Sequence, residues 1–247
     1  MKKILLVGAM LGMLACTTPR MSVDSQLINS GIVMPVQGRQ GWLMNQKISF
    51  GKFYSSKVSR GWLKSYKYDF FLVGLEGANE KYSFTMYDEK NSFTALCANK
   101  VKGLEIPLDR FVNNNSPDNL FSFGIQTKDV FTSNILDENQ NKCWNLLILN
   151  PDDFRKDGKY VGVLSNNEYE EIVILPVRTL QEGKTIGKEI LGFEFKEGEK
   201  VIGAVEIINK GTVWLDPSLD ENKKLLLATA CSAILLQSDL HAQVDSI

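Results

Sequence analysis

Residues 191–208 read LGFEFKEGEKVIGAVEII, and their pattern decides the fold class. Within Leu191-Gly192-Phe193-Glu194-Phe195, large apolar residues alternate with other residues, which is the period of a β-strand with one face inward and one face in water. The turn residues Glu197-Gly198-Glu199 follow, and a second β-like run covers 200–208. Short strands separated by tight turns are typical of an all-β domain.

Similar runs recur from about residue 27 onward, and we predict about eleven strands. They cover 31–36, 47–53, 69–75, 81–87, 92–98, 120–126, 144–149, 160–164, 171–177, 191–195 and 200–208. Strands at this spacing predict an all-β domain of sandwich-like or barrel-like form. The alternative is a pair of lobes that divide near the asparagine-rich stretch 113–119.

One buried α-helix is predicted near the C-terminus, over about 219–238. Ser218-Leu219-Asp220-Glu221 has the form of a capping box, in which a hydroxyl and a carboxylate satisfy the first free amides of a helix. The run 225–236, LLLATACSAILL, is apolar almost all round. A helix of this kind must be buried on every side, so we expect it to pack against the sheet.

The N-terminus has the form of a secretory signal. Met1-Lys2-Lys3 is positive, and the uncharged run ILLVGAMLGMLA over 4–15 is shorter than the roughly 20 residues that span a bilayer. It ends in Met13-Leu14-Ala15-Cys16. This motif resembles the lipobox of bacterial lipoproteins, with Met13 at the place where the family pattern prefers leucine. The resemblance covers residues 1–16 only.

The resemblance implies cleavage before Cys16 and lipidation of its thiol, so that fatty acyl chains such as palmitate anchor the protein in the cell envelope. Two or three acyl chains hold a protein firmly where one does not. Thr17, which stands where an aspartate would retain some lipoproteins in the inner membrane, favours the outer membrane. The predicted organisation is a signal peptide over 1–15, a lipidated tether over 16–26 and a single mostly β domain over 27–247.

The other cysteines are Cys97, Cys143 and Cys231. Export permits disulfides, so a bridge between Cys97 and Cys143 is one possibility. The alternative is that all three are reduced and buried as small apolar side chains. The sequence contains no CxxC motif and no cluster of cysteine and histidine, and we predict neither a metal site nor a cofactor.

The charge distribution suggests a binding segment. Residues 25–68 contain no acid, and the basic side chains there alternate with aromatic ones that include Trp42 and Trp62. The bases are Arg39, Lys47, Lys52, Lys57, Arg60, Lys64 and Lys67. Cations beside stacking surfaces predict binding to an anionic glycan, lipopolysaccharide or phospholipid. The alternative is that the lysines lie on solvent faces and sheet edges while the aromatics are core residues. Export argues against nucleic acid as a partner.

The sequence contains few residues that could carry out catalysis or bind a metal. The only histidine, His241, lies in the C-terminal tail, which leaves a Ser-His-Asp site without a base. The stretch 137–141, DENQN, begins like a calcium loop, but Lys142 and Ile148 stand where the loop requires glycine and glutamate. With 44% apolar and 23% charged residues the chain has the composition of a folded globular protein.

We therefore predict no enzymatic activity and expect an exported, membrane-anchored protein that binds or scaffolds in the envelope. One alternative is a carrier that holds an apolar ligand in a barrel cavity. A second alternative is a hydrolase that uses paired carboxylates, which need no histidine.

Overall fold

The computed structural model describes residues 18–39, 45–61, 80–99, 130–137, 142–149, 162–166, 170–187 and 189–237. These residues form two helices, α1 Ser25–Ser30 and α2 Glu221–Leu235, and a series of strands. The strands are β1 Ile32–Pro35, β2 Ser49–Phe50, β3 Phe53–Ser55, β4 Ser59–Arg60, β5 Glu80–Tyr87, β6 Ser92–Asn99, β7 Val130–Asp137, β8 Lys142–Leu149, β9 Gly162–Asn166, β10 Glu171–Val177, β11 Gly192–Glu197, β12 Lys200–Glu206 and β13 Thr212–Leu215.

All strands belong to one antiparallel sheet, which confirms the predicted barrel-like, mostly β class. The order is β1-β13-β12-β11-β10-β9-β8-β7-β6-β5-β3-β2, and β4 pairs with β5 beside this path. The two ends of the sheet meet where Gln37 and Ser49 exchange backbone hydrogen bonds of 2.9 and 3.1 Å. The sheet therefore curls into a nearly closed barrel, and the described strands form one continuous unit.

Helix α2 runs through the interior of this barrel. It contacts β5, β6 and β7 on one wall and β12 and β13 on the other. Every residue from Lys224 to Leu235 is buried, and the apolar ones join a core with inward side chains such as Tyr82, Phe84 and Phe195. The prediction of a buried C-terminal helix is confirmed, and its uniform apolarity is explained because the sheet surrounds it.

The predicted start of that helix was two residues early. Asp220, not Ser218, is the N-cap, and its carboxylate accepts a hydrogen bond of 2.8 Å from the amide of Lys223. The hydroxyl of Ser218 instead donates to Asp216 at 2.7 Å. The chain still turns at 217–219, so a helical amide does not come within reach of Ser218. The helix ends with Leu236 as C-cap.

A second, smaller apolar cluster lies on the outer face of the barrel. Met21, Val23 and Leu27, from the N-terminal segment and α1, pack against Leu180 and Trp214. Because Met21 is already buried, the predicted tether over 16–26 is too long. The folded domain includes residues that polarity and lack of periodicity had assigned to the tether.

Several strands differ from the sequence prediction. The predicted run 47–53 is split by a tight turn at Gly51 and Lys52 into β2 and β3. Strands β4, β7 and β13 were not predicted, and β7 was missed because its sequence, VFTSNILD, carries polar residues in its centre. The predicted strands at 69–75 and 120–126 and the possible lobe boundary at 113–119 lie outside the described residues.

Candidate functional site

The two ends of the barrel differ, and we name them after the helix inside. The C end holds the C-terminus of α2 and residues 207–211, and the N end holds the start of α2 and the β11–β12 turn at 198–199. The first described residues lie at the C end, because the side-chain amide of Asn209 donates to the carbonyl oxygen of Pro19 at 2.9 Å. The N-terminal segment that follows runs along the outer wall toward the N end.

At the C end, side chains of the basic segment satisfy the last carbonyl groups of α2. Arg39 donates from Nε to the oxygen of Leu235 at 3.2 Å, and Arg60 donates from Nη2 to the oxygen of Leu236 at 3.0 Å. The hydroxyl of Tyr82 donates to the oxygen of Ala233. A helix C-terminus carries free carbonyls and partial negative charge, so cations there stabilise it.

Arg39 is a structural residue of this network. Its side chain is only 2% exposed, and Nη1 also donates to the carbonyl oxygens of Ile207 and Asn209. Burial lowers the pKa of Arg39 to about 10, against the opposing effect of the Glu206 carboxylate. The guanidinium therefore stays charged at neutral pH while its hydrogen bonds are directed at the protein itself.

The five described bases of 25–68 do not form one exposed patch. Arg39 and Arg60 cap the helix at the C end, whereas Lys52 forms an ion pair with Glu221 at the N end. Lys47 and Lys57 are exposed and form no ion pair with another described residue. The remaining residues of the prediction, Trp42, Trp62, Lys64 and Lys67, lie outside the described residues.

A different group of cations lies at the C end. Arg20, Lys47, Lys184 and Lys210 are all exposed, and we call these four residues the basic rim. None of them forms an ion pair with another described residue, although the charge of Arg20 acts on buried Glu206. Sequence reasoning found only Lys47, because Arg20 precedes the acid-free segment while Lys184 and Lys210 lie in the region 69–247, where acids outnumber bases.

A cleft of about 490 Å³ opens at the N end between α1, β12 and the turn at 216–218. Inside it, Lys200 forms an ion pair with Asp216 and donates to the hydroxyl of Ser218 at 3.2 Å. Desolvation alone would raise the pKa of Asp216, but hydrogen bonds from Lys200 and Ser218 outweigh it and lower the pKa.

This group of side chains is suited to hydrogen bonding and not to nucleophilic attack. The hydroxyl of Ser218 donates to Asp216, but the lowered pKa of that carboxyl makes it a weak base. The ammonium group of Lys200 is paired with this carboxylate, and an ammonium group cannot accept a proton from a hydroxyl. The cleft can bind a polar group, and its charges neutralise each other.

The possible bridge between Cys97 and Cys143 is not formed, because both thiols are free. The strand register places Cys97 opposite Ser133 on the inner face, whereas Cys143 lies opposite Leu136 on the outer face. The two sulfurs therefore point to opposite sides of the sheet. Burial raises the pKa of Cys97 to about 12 and that of Cys143 to about 11, and it also raises the pKa of Cys231 inside α2.

The remaining predictions concern an apolar ligand inside the barrel, a metal site, the membrane, and the residues Cys16 and His241. Helix α2 occupies the space in which a carrier would hold an apolar ligand. In the described ranges, three or more potential metal ligands never gather into a group. Neither described helix is long and apolar enough to cross a membrane. Cys16, the predicted lipidation site, and His241 lie outside the described residues.

Comparison of the chain with protein families, with curated proteins and with solved structures finds no match.

Proposed function

We propose that this chain is an exported, lipid-anchored envelope protein that binds or scaffolds without catalysing a reaction. The signal-like run over 4–15 and the lipobox-like Met13-Leu14-Ala15-Cys16 support export and lipidation. The observation that carries the proposal is the position of Met21, which is 2% exposed and lies five residues after Cys16. Lipid on Cys16 is thereby tied closely to one end of a folded barrel.

The attachment of this segment to the barrel is specific. The amide of Met21 donates to the buried carboxylate of Glu206 at 2.8 Å. On either side of it, Ser22 donates to the carbonyl of Thr179 at 2.8 Å, and Gln181 donates to the carbonyl of Arg20 at 2.9 Å. An extended chain covers at most 3.3–3.6 Å per residue, so Cys16 lies at most about 18 Å from Met21.

A binding or scaffolding role suits a barrel that is filled by its own helix. Because α2 takes up the interior, the surfaces open to a partner are the rims, the outer wall and the cleft at the N end. With its N-terminus fixed at the C end, the protein would turn that end to the bilayer and the cleft away from it. In this proposal the outer membrane is the site of anchoring, on the basis of Thr17.

Intact-mass analysis of the protein extracted from cell membranes tests the proposal. We expect a mature chain that begins at Cys16 and carries diacylglycerol and fatty acid, together with incorporation of a palmitate analogue. Cys16→Ser should abolish the label, whereas the control Cys143→Ser should retain it. A mature chain that begins elsewhere, or a Cys16 without lipid, would refute the proposal.

A further inference from the structure

The described charges are unevenly divided between the two ends of the barrel. At the C end bases predominate. The bases there are Arg20, Arg39, Lys47, Arg60, Lys81, Arg178, Lys184 and Lys210, and the acids are Glu80, Glu182, Glu189 and Glu206. At the N end acids predominate. The acids there are Asp88, Glu89, Asp137, Glu170, Glu171, Glu197, Glu199, Asp216, Asp220 and Glu221, and the bases are Lys52, Lys90, Lys142, Lys196, Lys200, Lys223 and Lys224. The barrel is therefore electrically polar along its axis.

The dipole of α2 accounts for only part of this division. Negative charge is favourable at a helix N-terminus and positive charge at a C-terminus, within about one turn. Asp220 and Glu221 at the start of α2, and Arg39 and Arg60 at its end, fit that rule. The side chains of the basic rim, by contrast, donate no hydrogen bond to a described carbonyl group of the helix. The charges of the basic rim face solvent and need another explanation.

Outside the described residues, the segments that join strand ends at the C end are neutral in sequence, Lys188 adds one base, and the tail 238–247 after α2 adds Asp239 and Asp245. The segments 62–79, 100–129 and 150–161 connect strand ends at the C end, and each contains as many bases as acids. The segment 40–44 has no charge. Among exposed described residues at this end, only Glu182 is acidic. Among the described residues, this end therefore exposes more bases than acids.

We propose that the basic rim binds the anionic headgroups of the membrane that holds the lipid anchor. This inference rests on the proposed function for the choice of the end that faces the bilayer. Cys16 is within about 18 Å of Met21, so the lipid brings Arg20 and its neighbours close to the headgroups. The potential of an anionic surface decays over a Debye length of about 8–10 Å at physiological salt. The tether is long enough to let the basic rim approach the membrane surface to within this distance.

The electrostatic contribution has a predictable size. Each lysine or arginine near an anionic surface contributes about 1 kcal/mol, which corresponds to roughly a fivefold change in the partition coefficient. Reversing one charge of the basic rim removes one attraction and adds one repulsion of similar size. We therefore expect at least about a 25-fold loss of binding for a single reversal at low salt.

The test uses the unacylated chain 17–247, which retains every described residue. Its binding is measured by sedimentation with phosphatidylcholine vesicles that contain no anionic lipid or about 30 mol% phosphatidylglycerol, at about 0.05 M and about 0.5 M salt. The variant Lys210→Glu is compared with Lys90→Glu, which lies in the β5–β6 turn at the N end. Both change the net charge equally, and both lysines are exposed and form no ion pair with a described residue.

We expect the unaltered chain to bind only the anionic vesicles and to lose this binding at high salt. The rim variant should bind at least about 25 times more weakly, and the binding of the control variant should change by less than about fivefold. Equal losses in the two variants would show a net-charge effect and overturn the proposal, as would salt-insensitive binding or no binding. Because the chain carries no lipid, this result is independent of the acylation analysis, and either proposal can fail alone.

Discussion

The side chain of Arg39 reaches across 196 sequence positions to the carbonyl oxygen of Leu235, with its Nε 3.2 Å away. The same guanidinium contacts the carbonyl oxygens of Ile207 and Asn209, so one buried cation joins the end of the central helix to the β12–β13 connection. Cationic hydrogen bonds of this kind hold the end of the interior helix against the β12–β13 connection.

Arg39→Met should lower the free energy of unfolding by about 3 kcal/mol, because buried carbonyl groups lose donors that carry a charge. Methionine retains an unbranched apolar side chain, so the effect reports mainly on the hydrogen bonds. Urea unfolding followed by circular dichroism measures the change. The control Lys47→Met removes an exposed cation of the same segment and should change stability by less than about 0.5 kcal/mol. Equal effects of the two substitutions would contradict the capping role.

Gly211 and Gly183 form a matched pair that separates close packing from backbone strain. Both have positive φ, 87° and 82°, so a side chain strains the backbone at either position. A Cβ on Gly211 would lie 2.9 Å from Cδ2 of Leu235, whereas a Cβ on Gly183 would meet nothing within 4 Å. We expect Gly211→Ala to cost about 1–3 kcal/mol more than Gly183→Ala in thermal or urea unfolding. Equal costs would show that the turn does not pack tightly against α2.

The three thiols of the domain should be protected and reduced. Burial raises the pKa of Cys97 to about 12 and that of Cys143 to about 11, and the reactive thiolate is scarce at neutral pH. We expect a disulfide-exchange reagent to react slowly with native chain 17–247 and to titrate all three thiols after denaturation. Reductant should leave the unfolding midpoint unchanged. A denatured chain with a single reactive thiol would reveal a bridge, and Cys143→Ser should remove one thiol from the count.

Glu194→Gln should stabilise the protein at neutral pH and have little effect in acid. Burial raises the pKa of Glu194 above its usual 4.5, and the nearby Asp24 carboxylate acts in the same direction. The folded state therefore binds more protons than the unfolded state between 4.5 and the raised pKa. The contribution of this group is fully present below 4.5 and is lost as pH rises through the raised pKa.

Glutamine keeps an oxygen that can accept the 2.7 Å hydrogen bond from the amide of Asp24 while it removes the buried charge. Urea unfolding at about pH 7 and about pH 4 should show a gain in stability only at the higher pH. The control Glu199→Gln alters a side chain that is 98% exposed and should change little at either pH. A loss of stability at neutral pH would mean that the charge of Glu194 is needed.

The strand pattern was predictable where one face of a strand is apolar. Residues 81–87 and 191–195 show this period, and β5 and β11 lie there. Strand β7 was not predictable because Ser133 is inside the barrel, where it accepts a hydrogen bond from the thiol of Cys97 at 3.2 Å. A polar side chain whose partner lies on another strand cannot be distinguished from a loop residue by its sequence neighbours.

The basic segment was visible in the sequence, but the surroundings of its members were not. Arg39 is buried beneath the end of α2, whereas Lys47, only eight positions later, is exposed at the same end of the barrel. Arg20, Lys184 and Lys210 join Lys47 through the turns and the N-terminal segment that meet at this end. Charge density along the chain could not show a group assembled from residues as far apart as 20 and 210.

The sequence by itself determined the β class and the buried C-terminal helix, and it predicts a leader that ends at an acylatable cysteine, because periodicity, apolar run length and local motifs depend only on neighbouring residues. The tertiary structure alone decided that the helix fills the barrel, that Cys97 and Cys143 face opposite sides, and that among the described residues bases predominate at one end and acids at the other. These features depend on strand order and closure, which bring together groups that are distant in the chain.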